Sequence, residues 1–265
     1  MNRLETTFTR LRDKGEKALI AYLMAGDPTL EDTEAYALAL AQAGADIVEL
    51  GVPFSDPIAD GPVIQQAAER ALRSGTSLKK ILATVRSLRK KTQIPLVLMA
   101  YYNSIFRYGE AAFCRDAVAA GVDGLIVPDM PPDEAGTIHL LAEKAGLDVI
   151  FLLAPTSTAK RQTSVARLSR GFIYYVSLTG ITGAKLTDKA DVEEKVREIR
   201  RYTKTPVAVG FGIATPEDAR EVARIADGVI VGSALVKVIA EGNHAAVTNR
   251  LTSFTRSLKS ATLPA

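Results

Sequence analysis

Tryptophan is absent from the 265 residues, cysteine occurs once, histidine twice, and aromatic residues make up 6% of the chain. The lone Cys114 excludes an intrachain disulfide framework, and cysteine usage this low fits a reducing compartment. With so few thiols and imidazoles, no His/Cys/carboxylate cluster has metal-ligand spacing, so no metal site is expected. No apolar run reaches the roughly 18 residues of a membrane span. The opening stretch MNRLETTFTRLRDKGEKALIAYLMAGD has no long apolar core after its charges, so no signal peptide is expected. Blocks of like charge are missing too, and the net charge is only +3, which argues against a nucleic-acid face or a charged tail. A slight basic surplus suits a small anionic substrate. The expectation is a soluble cytoplasmic protein.

What is present is ordinary in amount and regular in pattern: 47% hydrophobic and 24% charged residues. Eight short apolar runs recur along the chain, at 19–24, 46–51, 94–100, 123–128, 148–153, 172–177, 206–210 and 227–232. Several are rich in Val and Ile, as buried parallel strands are. Between them lie stretches with helical spacing, such as LEDTEAYALALAQAG and VEEKVREIRRYTK. This alternation predicts a parallel sheet with crossover helices. A weak repeat runs through AQAGADIVELG, VAAGVDGLIVPD and EKAGLDVIFLLAP, with RIADGVIVG a degenerate copy. In each, a helix ends at a glycine able to take the left-handed cap, and an aspartate opens the next strand. Eight such units close into a (β/α)₈ barrel of the TIM type. An open doubly wound sheet is the competing architecture. Residues 1–265 are expected to form a single barrel domain, a length such barrels routinely reach. Residues 2–14 read as an extra N-terminal helix, and VIAEGNHAAVTNRLTSFTRSLKSA as the closing helices.

In this fold the active site lies at the C-terminal ends of the strands. The second run, 46–51, puts Ile47, Glu49 and Gly51 on one face by the two-residue period. If that face is the interior, Glu49 is a carboxyl buried near the mouth, with a raised pKa and the makings of a general acid. The plainer alternative is a Glu paired with a Lys or Arg of a neighbouring strand. The loop 52–62 that follows carries three prolines and two aspartates, with turn dipeptides at Asp56-Pro57 and Gly61-Pro62. Its Asp60 reads either as the second carboxylate of an acid/base pair or as the start signal of the helix at Pro62. Three glycine-bearing loops at adjacent strand ends suit a phosphate: Gly180–Ala184, the segment Gly210–Thr215 and Gly232–Ser233. Gly212 lets the backbone approach an anion, and Thr215 and Pro216 look like a helix N-cap and first-turn residue. GFGIAT lacks the third glycine of a dinucleotide fingerprint and follows a late strand, so a nicotinamide site is rejected. His139 and His244 fall in helical stretches away from strand ends and read as surface residues. Cys114 reads as a buried structural thiol. No lysine sits within or at the end of a strand, which argues against Schiff-base chemistry. The residues themselves describe a metal-free barrel acting on a phosphorylated substrate through carboxylates.

The run from Val48 to Pro62, VELGVPFSDPIADGP, closely resembles the signature segment of tryptophan synthase alpha subunits. Tyr22–Asp27 (YLMAGD), Gly124–Pro131 (GLIVPDMP), Ile181–Gly183 (ITG), Gly210–Ile213 (GFGI) and Gly232–Val236 (GSALV) support the match in order and spacing. The resemblance implies a (β/α)₈ barrel that cleaves indole-3-glycerol phosphate to indole and glyceraldehyde 3-phosphate. It implies that Glu49 handles the protons at indole carbon 3 and the glycerol hydroxyl, and that Asp60 stabilises positive charge at the indole N–H. It makes Tyr22, Met99, Tyr101, Asp129, Tyr174 and Thr182 the substrate pocket. It gives the phosphate to Gly183, Phe211, Gly212, Gly232 and Ser233. No cofactor is implied for this chain. Pyridoxal phosphate is expected only in a partner beta subunit, in an α₂β₂ tetramer, with Pro53–Asp60 and Thr179–Asp188 as contact and lid segments. The departures are Tyr22 where Phe is common, Met99 for a commoner Leu, and Ser177-Leu178-Thr179-Gly180 for the Ser-Arg-Ser/Thr-Gly version. They touch pocket shape and the loop, leaving the reaction class intact. The rivals are a stand-alone lyase that releases free indole, another phosphate-binding barrel enzyme, and a catalytically silent barrel that only binds a partner.

Overall fold

The structure is a computed structural model and describes residues 2–176, 189–210, 212–242 and 244–264. Its strands are β1 (Ala18–Met24), β2 (Ile47–Gly51), β3 (Leu96–Met99), β4 (Gly124–Ile126), β5 (Asp148–Ile150), β6 (Leu152–Leu153), β7 (Ile173–Val176), β8 (Val207–Gly210) and β9 (Gly228–Val231). Every pairing is parallel, in the order β5-β4-β3-β2-β1-β9-β8-β7-β6. The two ends of that order are halves of one apolar run. The run is interrupted at Phe151, whose N–H donates to Ser169 Oγ at 3.2 Å instead of to a strand. Its first half pairs with β4 and its second with β7. The ring therefore closes through this run, and the eight expected strands appear as nine. An open sheet is excluded.

Alternation along the strands divides the core in two. Ile20, Ile47, Val97, Ile126, Ile150, Tyr174, Ala208 and Ile230 fill the barrel interior. The opposite faces, including Leu19, Val48, Leu98, Leu125 and Val209, pack outward against the surrounding helices. The N-terminal helix, Arg3–Asp13, closes the barrel floor. Asn2 caps it by accepting from the Glu5 N–H. Its Leu4, Phe8 and Leu11, spaced along one face, are buried in the interior cluster. Burial of side chains of this size stabilises by about 1.5–3 kcal/mol each.

The repeat seen in the sequence has a mechanical explanation. Gly44, Gly121 and Gly146 end their helices with φ of 108°, 100° and 83°. Two residues later stands an aspartate at a strand start, and two of these, Asp46 and Asp123, serve the strand before. Asp46 accepts from Leu19 N–H at 3.0 Å and Asp123 from Leu96 N–H at 2.8 Å. Asp227 of the degenerate copy accepts from Val207 N–H at 2.9 Å. The same carboxylates anchor the floor helix, Asp123 through Arg3 and Asp46 through Arg10, both at 3.0 Å. Arg89 and Lys259 complete these pairs at 2.9 and 2.8 Å. Among the described residues no helix is long and apolar enough to cross a membrane.

Candidate active site

Glu49 points into the barrel from β2, between its register partners Tyr22 on β1 and Val97 on β3. It is 1% exposed, and neither carboxyl oxygen has a hydrogen-bond partner among the described residues. The neighbouring-strand ion pair that would have made it structural is not formed. Burial, reinforced by the Asp60 charge, pushes its carboxyl up to about 8. A carboxyl in that state carries a proton at neutral pH and can deliver it.

Asp60 ends the loop after β2. The helix that follows, Pro62–Arg73, is capped by Gly61 with no side-chain cap bond, so Asp60 is not its cap. Its carboxylate instead accepts from Tyr101 Oη at 3.2 Å. Burial pushes Asp60 up to about 6, against the Tyr101 hydrogen bond, which pulls it down. Tyr101 Oη also accepts from the Ala59 N–H at 2.9 Å, and its ring stacks on Phe54 with centroids 5.1 Å apart. The loop is thus folded round one side chain that stands just beyond β3.

Tyr22 and Tyr174, both buried, complete the walls. Burial raises both phenols well above their ordinary value, and the Asp60 and Glu49 carboxylates raise them further, so they stay neutral donors. Two glycines make room for them. A Cβ on Gly51 would lie 2.1 Å from Tyr22 Oη, and one on Gly210 2.7 Å from Tyr174 Oη. Met99 is half-buried, packed against both the interior cluster and the cluster that joins Tyr22 to the helix Pro62–Arg73. Asp129 is exposed and accepts from the Tyr102 N–H at 2.9 Å, which holds the first turn of the helix Tyr102–Tyr108.

Two helix starts lie where a phosphate was expected, and they differ. The helix Pro216–Ile225 is closed by a capping box between Thr215 and Asp218. The helix Ser233–Ala240 begins at Gly232 with no side-chain cap bond. Its first-turn N–H groups are those that an anion satisfies. A Cβ on Gly232 would lie 3.7 Å from the Tyr22 side chain, so this uncapped start adjoins the wall of the carboxylate pocket. Gly212 is exposed with φ +76°, a conformation that favours glycine. Thr182, Gly183 and Phe211 lie outside the described residues, as does the segment Thr179–Asp188.

The other sequence candidates sit elsewhere. Cys114 is buried in the helix Glu110–Ala120. His139 is not the surface residue expected: it is half-buried, bonded to Leu168 O at 3.1 Å and stacked on Phe151. His244 is exposed, and meets Asp32 and the Tyr36 ring. Among the described residues no group of three or more His, Cys, Asp or Glu could hold a metal. A groove of about 760 Å³ lies at the opposite end of the barrel, lined by Phe8, Lys17, Arg170, Arg200 and Lys204 among others. It includes neither Glu49 nor Asp60, nor the residues that wall their pocket. It belongs to the end of the fold that serves stability, and the strand C-termini carry the chemistry.

Two features escaped the sequence. The Tyr101 bridge joins groups 41 and 42 residues apart, which no local spacing encodes. Asp27, 2% exposed, is clamped by Arg70 through bonds of 2.7 and 2.8 Å, tying the end of the helix after Asp60 to the loop after β1. Asp27 stood inside the YLMAGD motif, but its partner gave no signal.

A family profile described as tryptophan synthase alpha chain matches residues 8–263. The tryptophan synthase alpha chain of Geotalea daltonii is 52% identical over 259 residues, 98% of each chain. That of Nitrosococcus oceani is 53% identical over 240 residues, 90% of this chain and 89% of its own. Among solved structures, tryptophan synthase subunit alpha from Legionella pneumophila superposes with a TM-score of 0.92 at 40% identity, covering 98% of both chains. A chain of Mycobacterium tuberculosis tryptophan synthase does so at 0.92 and 40%, covering all of this chain and 99% of its own. A match along nearly the whole sequence, with the same barrel, means that this chain belongs to the tryptophan synthase alpha chain family.

Proposed function

We propose that Glu49 and Asp60 perform, in this chain, the lyase reaction of its family: cleavage of indole-3-glycerol phosphate to indole and glyceraldehyde 3-phosphate. The observation that carries the assignment is Glu49, a fully buried carboxyl whose two oxygens have no partner among the described residues and face the pocket that Asp60 borders. Protonated Glu49 gives its proton to carbon 3 of the indole, which places positive charge on the ring nitrogen. The Asp60 carboxylate stabilises that N–H. Glu49, now an anion, takes the proton of the glycerol hydroxyl. The oxygen forms a carbonyl, the carbon–carbon bond breaks, and its electron pair restores the aromatic ring. Glu49 ends as it began. Both carboxyls are in the required state between about pH 6 and about pH 8.

Tyr22, Met99, Tyr101, Asp129, Tyr174 and Thr182 bound the substrate. Gly183, Phe211, Gly212, Gly232 and Ser233 take its phosphate, in keeping with the uncapped helix start at Ser233. The chain, one domain over 1–265 in the cytoplasm, uses side-chain acid–base chemistry without a cofactor. The partner is a beta subunit, which holds pyridoxal phosphate and consumes the indole in an α₂β₂ tetramer. It docks on the mouth, where Ile58 of the loop after β2 is 86% exposed and Phe106 of the helix Tyr102–Tyr108 is 63% exposed. Large apolar side chains standing this far into solvent mark a contact surface.

The test is a cleavage assay of the purified chain on indole-3-glycerol phosphate, with and without a beta subunit. Release of both products at a rate that rises with beta subunit is the expected result. Absence of cleavage in both arms defeats the assignment.

A further inference from the structure

We infer that Tyr101 is a positioning residue, whose hydroxyl bridges the Ala59 N–H and the Asp60 carboxylate and thereby fixes the loop and keeps Asp60 an anion facing the pocket. The inference rests on the role given to Asp60 above and takes Tyr101 beyond a mere pocket wall. Three contacts carry it. The Ala59 N–H donates to Tyr101 Oη at 2.9 Å, which leaves the phenolic proton for the carboxylate at 3.2 Å. The Phe54 ring stacks on the Tyr101 ring at 5.1 Å. A single side chain therefore grips residues 54, 59 and 60, at the beginning and end of the loop.

The orientation of the bridge decides its electrostatic effect. An oxygen that already accepts from a main-chain N–H has its own proton turned away, toward Asp60. A donor of this kind stabilises the carboxylate over the acid. Among the described residues, the other titratable groups facing Asp60 are Glu49 from β2, Tyr22 from β1 and Tyr174 from β7, with Asp129 facing Tyr101. Asp56 stands on the same loop. The carboxyls here disfavour the Asp60 anion when ionised. Burial disfavours it too, and the Tyr101 hydrogen bond works in the opposite sense.

Tyr101→Phe keeps the ring on Phe54 and deletes the bridge. Isotope-edited NMR of the Asp60 carboxylate carbon, assigned with Asp60→Asn, reads its titration without any substrate. The midpoint moves upward by about one pH unit in Tyr101→Phe. The acid limb of the kcat profile moves with it. Near pH 6, kcat falls by about fivefold, approaching about tenfold at lower pH, while KM for indole-3-glycerol phosphate changes far less. The kcat defect shrinks toward the alkaline side, where Asp60 ionises without help. An unmoved Asp60 midpoint overturns the inference, as does a rise in KM with an unmoved acid limb, which makes Tyr101 a substrate contact only. If the parent chain fails to cleave the substrate with and without a beta subunit, the lyase assignment falls, and the NMR titration still judges Tyr101 by itself.

Discussion

Tyr22 and Glu49 are register partners on β1 and β2, and the tyrosine hydroxyl lies over Gly51, the next residue inward on the Glu49 face. The glutamate thus has a phenol beside it in place of a cation. With the carboxyl at about 8 and Asp60 at about 6, the productive combination is a protonated Glu49 and an ionised Asp60. Cleavage should follow a bell-shaped pH profile. The acid limb belongs to Asp60 gaining a proton and the alkaline limb to Glu49 losing one, with apparent values that belong to the interacting pair. A kcat/KM profile that stays flat from pH 5 to pH 9 speaks against this division of labour.

Glu49→Gln should separate catalysis from stability. Cleavage falls by about 10²–10⁴-fold, the usual weight of a general acid–base group. Stability moves the other way. In the unfolded chain Glu49 ionises near its ordinary 4.5, and in the folded chain only near 8. Raising the pH through that window strips the proton from the unfolded state first and so weakens the fold. By pH 8 the penalty is on the order of a few kcal/mol, at about 1.36 kcal/mol per unit of displacement. Glutamine has no proton to lose. Melting curves should therefore show the variant gaining on the parent as pH rises from 4 to 8, and equal melting temperatures across that range exclude a proton-holding Glu49.

The floor of the barrel should behave oppositely to its mouth. Asp123 is buried, pairs with Arg3 and Arg89, and satisfies the Leu96 N–H. Asp123→Ala leaves a mostly buried guanidinium and a main-chain donor without their acceptor, a loss of about 3–5 kcal/mol. Denaturant midpoints check this. Activity per folded molecule should stay near that of the parent, because no floor residue reaches the pocket. A selective loss of kcat at unchanged stability contradicts that separation.

The barrel was readable from the sequence because its causes are local and repeated. Short continuous apolar runs, left-handed glycines at 44, 121 and 146 and an aspartate two residues on are each visible in a window of a dozen residues. Glu49 was visible for the same reason, as a lone carboxyl on an inward face. Asp60 was ambiguous: a helix-start aspartate and a pocket carboxylate look alike in one dimension. The choice turns on whether Gly61 or Asp60 sits at the N-cap, and on a tyrosine 41 residues away. The interruption at Phe151 was invisible because it depends on Ser169, in a different unit of the repeat. Long-range pairing of polar groups leaves no period behind.

Gly212 tests the phosphate end of the site. Its φ of +76° is strained for any residue with a Cβ, and β-branched valine resists it most. Gly212→Val should raise KM for indole-3-glycerol phosphate by about tenfold or more, and inorganic phosphate, which should compete with substrate in the parent, should lose potency in parallel. Titration calorimetry with glyceraldehyde 3-phosphate gives the same comparison without turnover. Unchanged affinity in the variant moves the phosphate to another loop.

Ile58 tests how a partner reaches the chemistry. It stands two residues before Asp60 and is 86% exposed, an apolar side chain with water on nearly every side. The turn that carries it is short: Ile58 N–H donates to Asp56 O at 2.9 Å, and Asp60 N–H to Pro57 O at 3.0 Å. Packing on Ile58 is therefore felt at Asp60 through a few stiff residues. A beta subunit seated there should raise the cleavage rate by favouring the loop state in which Asp60 faces the indole nitrogen, a shift of population requiring no new catalytic group. Ile58→Asp places a charge in that contact and should abolish most of the response to added beta subunit, while the basal rate of the isolated chain stays close to that of the parent. Asp60→Asn should instead lose activity with and without partner, because an amide cannot stabilise the charged N–H as a carboxylate does. The measurement is the cleavage rate of all three proteins, each titrated with beta subunit. Full activation of Ile58→Asp removes this loop from the contact surface, and a parent chain that gains nothing from the partner favours a lyase that works alone.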